Sequence, residues 1–229
     1  MANSKELFEV NMESITVVDQ MQCIKLLSSK LRDKSTGYKD YMIYADRLTT
    51  ILAEEALARV PAVVPKQIET PCGVFDGLED REDQQLCVVS IIRSGDILLE
   101  AVRKLTPGIR VGKILIQRDE ETEDKRPIYF YKKLPADIAD CYILLVDPML
   151  GTGGSAVCAT EALVVEGVKP ENIMFVNLFS CREGLSALLS KFPEMKVVTL
   201  SMDDTLNEDM FLVPGLGDFG DRYYGTNHK

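Results

Sequence analysis

The sequence predicts an α/β chain built on a parallel sheet, and three observations carry the prediction. Short, β-branched apolar runs recur, as in LCVVSII from Leu86 to Ile92 and YILLV from Tyr142 to Val146. Between residues 145 and 200 such runs alternate with helix-like segments, the order of parallel strands joined by crossover helices. Finally, Arg93, Arg118 and Asp147 each stand directly after a predicted strand, and open α/β sheets bind ligands beyond the carboxyl ends of their strands.

Taken in order, Tyr41, Tyr44, Ala45, Leu48, Ile51, Leu52 and Ala56 recur at three- and four-residue spacing. They predict one apolar face of a helix over 38–60, which Pro61 and Pro65 end. Residues 86–92 and 112–117 (GKILIQ) read as buried strands. The stretch 118–135, RDEETEDKRPIYFYKKLP, is acidic and then aromatic. It reads either as a solvated loop opening into a hairpin arm or as an active-site flap. After the strand 142–146 the pattern gives a helix over 155–166, a strand over 172–179, a helix over 182–191 and a strand over 196–200. No repeat or low-complexity linker divides the chain, so residues 1–229 are read as one domain.

Composition narrows the function. The 46% hydrophobic content suffices for a sizeable core, and the net charge of −10 opposes broad attraction to nucleic acid or an anionic membrane. An anionic ligand therefore needs a local site. The six cysteines (Cys23, Cys72, Cys87, Cys141, Cys158, Cys181) are scattered and form no CxxC pair, which supports neither a zinc nor a disulfide framework. No apolar run approaches the roughly 20 residues needed to span a bilayer, so a cytoplasmic protein is expected.

The strand 142–146 runs into VDPMLGTGGS. Glycines between a strand and a helix let backbone N–H groups approach an anion, and the helix N-terminus adds favourable partial charge. Gly151, Gly153 and Ala156 satisfy the dinucleotide variant G-x-G-x-x-A, but Asp147 to Leu150 intervene after the strand and the next strand does not end in an acid. A P-loop G-x-x-x-x-G-K is absent. The carboxylate of Asp147 beside a phosphate cradle suits a ligand that also carries hydroxyls, as a phosphorylated ribose does.

With these residues in view the sequence resembles the uracil phosphoribosyltransferases. VDPMLGTGGS resembles their motif for phosphoribosyl pyrophosphate (PRPP), and PGLGDFGDRYYGT near the C-terminus resembles their uracil-binding segment. The likeness continues through IIRSG around Arg93, GKILIQRDEET around Arg118 and TLNEDMFLVPGLGD, in order over most of 86–226. The resemblance implies a parallel phosphoribosyltransferase core with flanking helices. It also implies a small hood over the base (203–226), a hairpin arm (118–135) and an N-terminal helical region (1–60).

By similarity, Asp147, Pro148, Met149, Leu150, Gly151, Thr152, Gly153, Gly154 and Ser155 bind PRPP, with the 5′-phosphate on the amides of 152–155 and Asp147 near the ribose hydroxyls. Arg93 and Arg118 match the arginines at the pyrophosphate, and Asp218 matches an acid near PRPP. Leu212, Gly217, Asp218 and Phe219 occupy the uracil-contacting positions. Asp218, Arg118 and Asp147 are the catalytic candidates. The implied reaction joins uracil to PRPP, giving UMP and pyrophosphate in pyrimidine salvage, with Mg²⁺ arriving on PRPP and no metal ligand assigned. A homodimer or homotetramer and GTP as a candidate effector also follow from the resemblance.

Two positions depart from the family pattern. Gly151 and Phe219 both stand where alanine is usual, and a phenylalanine at 219 fits a base site only if its ring points elsewhere. A non-catalytic PRPP- or nucleotide-binding relative with an altered base pocket is the alternative reading. Val146, where other phosphoribosyltransferases carry a second acid, agrees with the uracil enzymes. His228, next to the last residue, is read as a solvated tail residue.

Overall fold

The branched apolar runs form the strands of a single sheet in the computed structural model, which describes residues 12–80, 85–118 and 127–226. The elements begin with β1 (Ile15–Val17), α1 (Gln22–Arg32), α2 (Tyr38–Leu57), β2 (Val63–Thr70) and β3 (Gly73–Asp80). Next come β4 (Leu86–Ile92), α3 (Gly95–Leu105), β5 (Arg110–Arg118), β6 (Pro127–Lys133), β7 (Tyr142–Val146), β8 (Met149–Leu150) and α4 (Gly154–Val165). The chain continues through β9 (Ile173–Cys181), α5 (Arg182–Lys191), β10 (Lys196–Asp203), β11 (Thr205–Leu206), β12 (Leu212–Val213) and α6 (Phe219–Tyr224).

The main sheet runs β1-β10-β9-β7-β4-β5-β6, with β8 beside β9, and every pair is parallel except β5 with β6. Strands covered on both faces need apolar residues throughout, and all of β7 and β9 is buried. Their side chains alternate between two cores. Tyr142, Leu144 and Val146 pack with α1, α2, α3 and α6, whereas Ile143 and Leu145 pack with α4 and α5.

From β4 the chain crosses through α3 to β5 on one side, and from β7 it crosses through α4 to β9 on the other. The strand order therefore reverses between β4 and β7, and the region beyond their carboxyl ends is the usual ligand position in such sheets.

Three features differ from the sequence reading or add to it. The N-terminal region is helical in α1 and α2 but also supplies β1 at the sheet edge; three residues are too short to show alternation. Residues 63–80 form an antiparallel ribbon, β2 with β3, which begins just past Pro61 and includes Pro65. Its Val74, Phe75 and Leu78 are exposed, so no buried face marked it in the pattern. The segment 118–135, read as a loop opening into a hairpin arm or as a flap, adds its return strand, β6, antiparallel to β5 at the edge of the main sheet. The acidic run 119–124 and His228 lie outside the described residues.

Candidate active site

The loop after β7 is held from three sides. The Asp147 N–H donates to the Val176 carbonyl at 3.3 Å, and the Pro148 carbonyl accepts from Leu178 and Phe179 at 3.0 and 3.1 Å. Ser94, at the turn after β4, donates its hydroxyl to Asp147 Oδ1 at 3.0 Å, bridging the two strands of the switch point. A Cβ at Gly95 would overlap the Val146 carbonyl oxygen and lie 2.9 Å from Ser90 Oγ, so that turn closes onto β7 only with glycine.

Beyond Leu150 the chain enters α4 through Gly153, whose φ of 82° is left-handed and favours glycine. Gly153 offers this helix no side-chain cap and its first turn carries no acid; the Gly154 N–H lies 3.4 Å from Thr152 Oγ1, and the first-turn amides are suited to an anion. The loop is also packed from behind by α5. A Cβ at Gly153 would lie 2.8 Å from the Gly184 carbonyl oxygen, and the Cys181 thiol donates to the Gly151 carbonyl at 3.2 Å. Burial pushes that thiol up to about 11, so it stays protonated and remains a donor at neutral pH.

The C-terminal segment reaches back to the same edge. β10 ends at Asp203, β11 and β12 form a short hairpin, and the chain passes Gly215 and Gly217, both with positive φ, into α6. The Ile92–Arg93 and Val213–Pro214 peptides are cis. Asp218 caps α6 by accepting the Asp221 N–H at 2.8 Å. Arg93 donates from Nη2 to Asp221 Oδ1 at 2.6 Å and from Nη1 to Thr226 Oγ1 at 3.0 Å. A Cβ at Gly220 would lie 3.3 Å from Arg93 Nη2 and 3.4 Å from Asp218 Oδ1, so Arg93 and Asp218 flank one glycine although 125 positions separate them in the chain.

Phe219 is 1% exposed. Its ring meets Tyr41 edge-on at 5.7 Å and stacks on Tyr223 at 6.2 Å, so it points into the core on the α2 side. Leu212 is likewise buried in that core. The N-terminal helices thus carry the C-terminal segment. The Tyr223 hydroxyl donates to Asp46 at 2.6 Å, and Arg222 donates to the Asp33 and Leu216 carbonyls at 2.7 and 2.9 Å while lying over the Tyr41 ring. Arg32 pairs with Asp203, donates to the Gly215 carbonyl at 3.0 Å and covers the Phe179 ring. Burial, followed by the bond to Asp46, raises the Tyr223 hydroxyl well above its ordinary range.

Of the residues chosen from sequence, Asp147 to Ser155 form one continuous stretch at the switch point, through β8 and into the first turn of α4, and Arg93 and Asp218 come together. Gly217 lies on the exposed turn before Asp218. Arg118 is the last residue of β5, beside β4. Sequence reasoning missed Ser94, Cys181, Gly184, Arg32, Asp221 and Thr226. Ser94 carries a local signal, as a hydroxyl residue at a predicted strand end; the rest act through contacts distant in sequence.

A sheet wound in this way, with a glycine-rich helix entry and a carboxylate at its switch point, is an arrangement that suits the phosphoribosyltransferase class. The family model for uracil phosphoribosyltransferase matches residues 17–226. The uracil phosphoribosyltransferases of Lachancea kluyveri and Saccharomyces cerevisiae are each 45% identical to it, over 93% of this chain and 96% of theirs. The AQ2163 protein of Aquifex aeolicus, a solved structure, superimposes with a TM-score of 0.78 at 26% identity, over 94% of this chain and 100% of that one. The chain belongs to the uracil phosphoribosyltransferase family.

Proposed function

We propose that the protein transfers the phosphoribosyl group of PRPP to N1 of uracil. The bond from C1′ to N1 forms, the bond from C1′ to the pyrophosphate oxygen breaks, and its electron pair leaves with pyrophosphate while N1 gives up its proton. The observation that carries the reading is the convergence of residues 147–155, Arg93 and Asp218 on one switch point.

In this reading the 5′-phosphate lies on the amides of Thr152, Gly153, Gly154 and Ser155, where the helix partial charge favours an anion. Asp147, oriented by Ser94, accepts from the ribose hydroxyls, and Pro148, Met149, Leu150 and Gly151 shape the loop between them. Arg93 and Arg118 bind the pyrophosphate, since guanidinium groups suit phosphate oxygens and offset the charge growing on the leaving group. Uracil lies against Leu212, Gly217, Asp218 and Phe219, read by backbone groups because the Phe219 ring is turned away. Asp218 receives the N1 proton. Residues 203–226 serve as the hood and 118–135 as the arm.

The hard oxygen donors of Asp147 and Asp218 fit Mg²⁺ carried on PRPP, and among the described residues no group of three or more such ligands forms a protein cage. Bound there, Mg²⁺ would neutralise pyrophosphate charge. The exposed apolar residues of the β2–β3 ribbon support a homodimer or homotetramer, and the family likeness brings GTP as a candidate effector. No helix among the described residues is long and apolar enough to cross a membrane, and a cytoplasmic location suits pyrimidine salvage.

The test is conversion of labelled uracil to UMP with PRPP and Mg²⁺, beside cytosine, orotate and hypoxanthine, in the wild type and in Asp218→Asn. Uracil-only turnover that collapses in the variant supports the assignment. PRPP binding without turnover of any base would point to the non-catalytic relative.

A further inference from the structure

We propose that Asp221 is a positioning residue that holds Arg93 for PRPP and ties it to Asp218; this rests on the reading of Arg93 as a pyrophosphate ligand. The carboxylate oxygen Oδ1 of Asp221 accepts from Arg93 Nη2 at 2.6 Å and from the Thr226 hydroxyl at 2.7 Å, and Thr226 Oγ1 in turn accepts from Arg93 Nη1 at 3.0 Å. These three bonds close a triangle. The backbone N–H of the same residue donates to Asp218 Oδ1 at 2.8 Å. Asp221 therefore orients one proposed site group through its side chain and the other through its main chain.

The surroundings favour positioning over stability. The side chains of Arg93 and Asp221 are 50% and 35% exposed, and so open an ion pair contributes little to folding. It does restrict a long side chain that otherwise samples many rotamers, a cost that binding would have to meet. The Tyr224 hydroxyl donates to the Arg93 carbonyl at 3.3 Å, and the Tyr224 ring lies 5.5 Å from the guanidinium carbon, so both ends of Arg93 are fixed by the 218–226 segment. A guanidinium has five N–H donors; the bonds to Asp221 and Thr226 engage two of them. The remainder suffice for phosphate oxygens without breaking the triangle. Asp221 thus makes Arg93 ready rather than competing for it.

The experiment is a double-mutant cycle of Asp221→Asn and Arg93→Ala, read as the PRPP dissociation constant with Mg²⁺ by calorimetry and as KM for PRPP and for uracil. Asp221→Asn keeps the N–H to Asp218 and removes the charge. It is expected to weaken PRPP binding about three- to fivefold, as loss of one half-exposed ion pair would. The uracil KM should move by less than about twofold. In the Arg93→Ala background the same substitution should add less than about twofold, because its effect runs through Arg93.

Thr226→Val removes another corner of the triangle and serves if Asp221→Asn does not fold. Its expected loss is about threefold, again absent without Arg93. PRPP binding unchanged or tighter in Asp221→Asn, or losses that multiply in the double variant, would overturn the proposal. A wild type that binds PRPP but makes no UMP would defeat the catalytic reading alone, since the cycle in dissociation constants would still decide the role of Asp221.

Discussion

Gly184 in α5 lies so close to Gly151 in the loop after β7 that a Cβ at 184 would overlap the Gly151 carbonyl oxygen and sit 2.7 Å from that of Leu150. Both neighbours are main chain and cannot step aside as a side chain can. Gly184→Ala must therefore move the loop or α5, at about 1–3 kcal/mol of stability. Because the loop is the proposed phosphate cradle, KM for PRPP should rise about tenfold or more, as small misplacements in a binding site do. Kinetics and thermal unfolding of the variant check this; an unchanged KM for PRPP would detach the loop from α5.

Arg32 in α1 answers what the N-terminal helices contribute. Its partner Asp203 has a side chain only 1% exposed, and among the described residues the other group bonded to that carboxylate is the Gly215 N–H at 3.0 Å. Arg32→Met would leave a buried carboxylate with that one donor, a loss of about 3 kcal/mol. For a chain of this size the melting temperature should fall by about 6–12 °C. Adding Asp203→Asn should recover part of it. A fall below about 2 °C would show that the pair does not hold the end of β10 to the Gly215 turn.

Much of this architecture was legible in the sequence, for physical reasons. The limits of β4 and α5 agree with the pattern because β4 is an unbroken apolar run through the buried sheet and α5 buries one face at three- and four-residue spacing. The 147–155 loop was legible because glycines, hydroxyls and an acid sit together in one stretch. Phe219 was not: its identity raised a question about the base site, and the answer lay in Tyr41, far away in the chain. The β2–β3 ribbon escaped because its apolar residues face outward. Asp221 lay within the recognised C-terminal motif, but its bond to Arg93 exists only once the fold brings the ends of β4 and α6 together.

Alkaline pH should weaken the fold. Burial pushes Cys181 from an ordinary 9.0 up to about 11 and Tyr142 from 10.0 up to about 12. Cys87 rises from 9.0 to about 12 for the same reason, with Cys141 adding to it. In each case the folded chain keeps a proton that the unfolded chain releases. The associated stability is complete below about pH 9 and is lost as pH climbs through 11 to 12. Urea midpoints measured from pH 8 to 11.5 should hold steady at first and then fall; a flat profile to pH 11 would contradict the burial of these groups.

Phe219→Ala separates the base segment from the phosphate loop. Phe219 fills the space between Tyr41 and Tyr223 in the core shared by α1, α2, α3 and α6, whereas Leu150, Ala156 and Ala159 pack in the core on the opposite face of the sheet. Emptying a site this enclosed costs about 3–5 kcal/mol, and the melting temperature should drop by about 10 °C or more. The cavity lies under Gly217 and Asp218, so α6 should loosen and the uracil KM should rise several-fold. The N-terminus of α4 is braced instead by Gly184 and Ala187 of α5, so PRPP affinity should stay within about twofold of the wild type. Phe219→Leu retains most of the volume and should fall between the two. Parallel loss of uracil and PRPP affinity in Phe219→Ala would mean that the two cores act as one beneath the site, and that the ring supports the phosphate loop as well as the base.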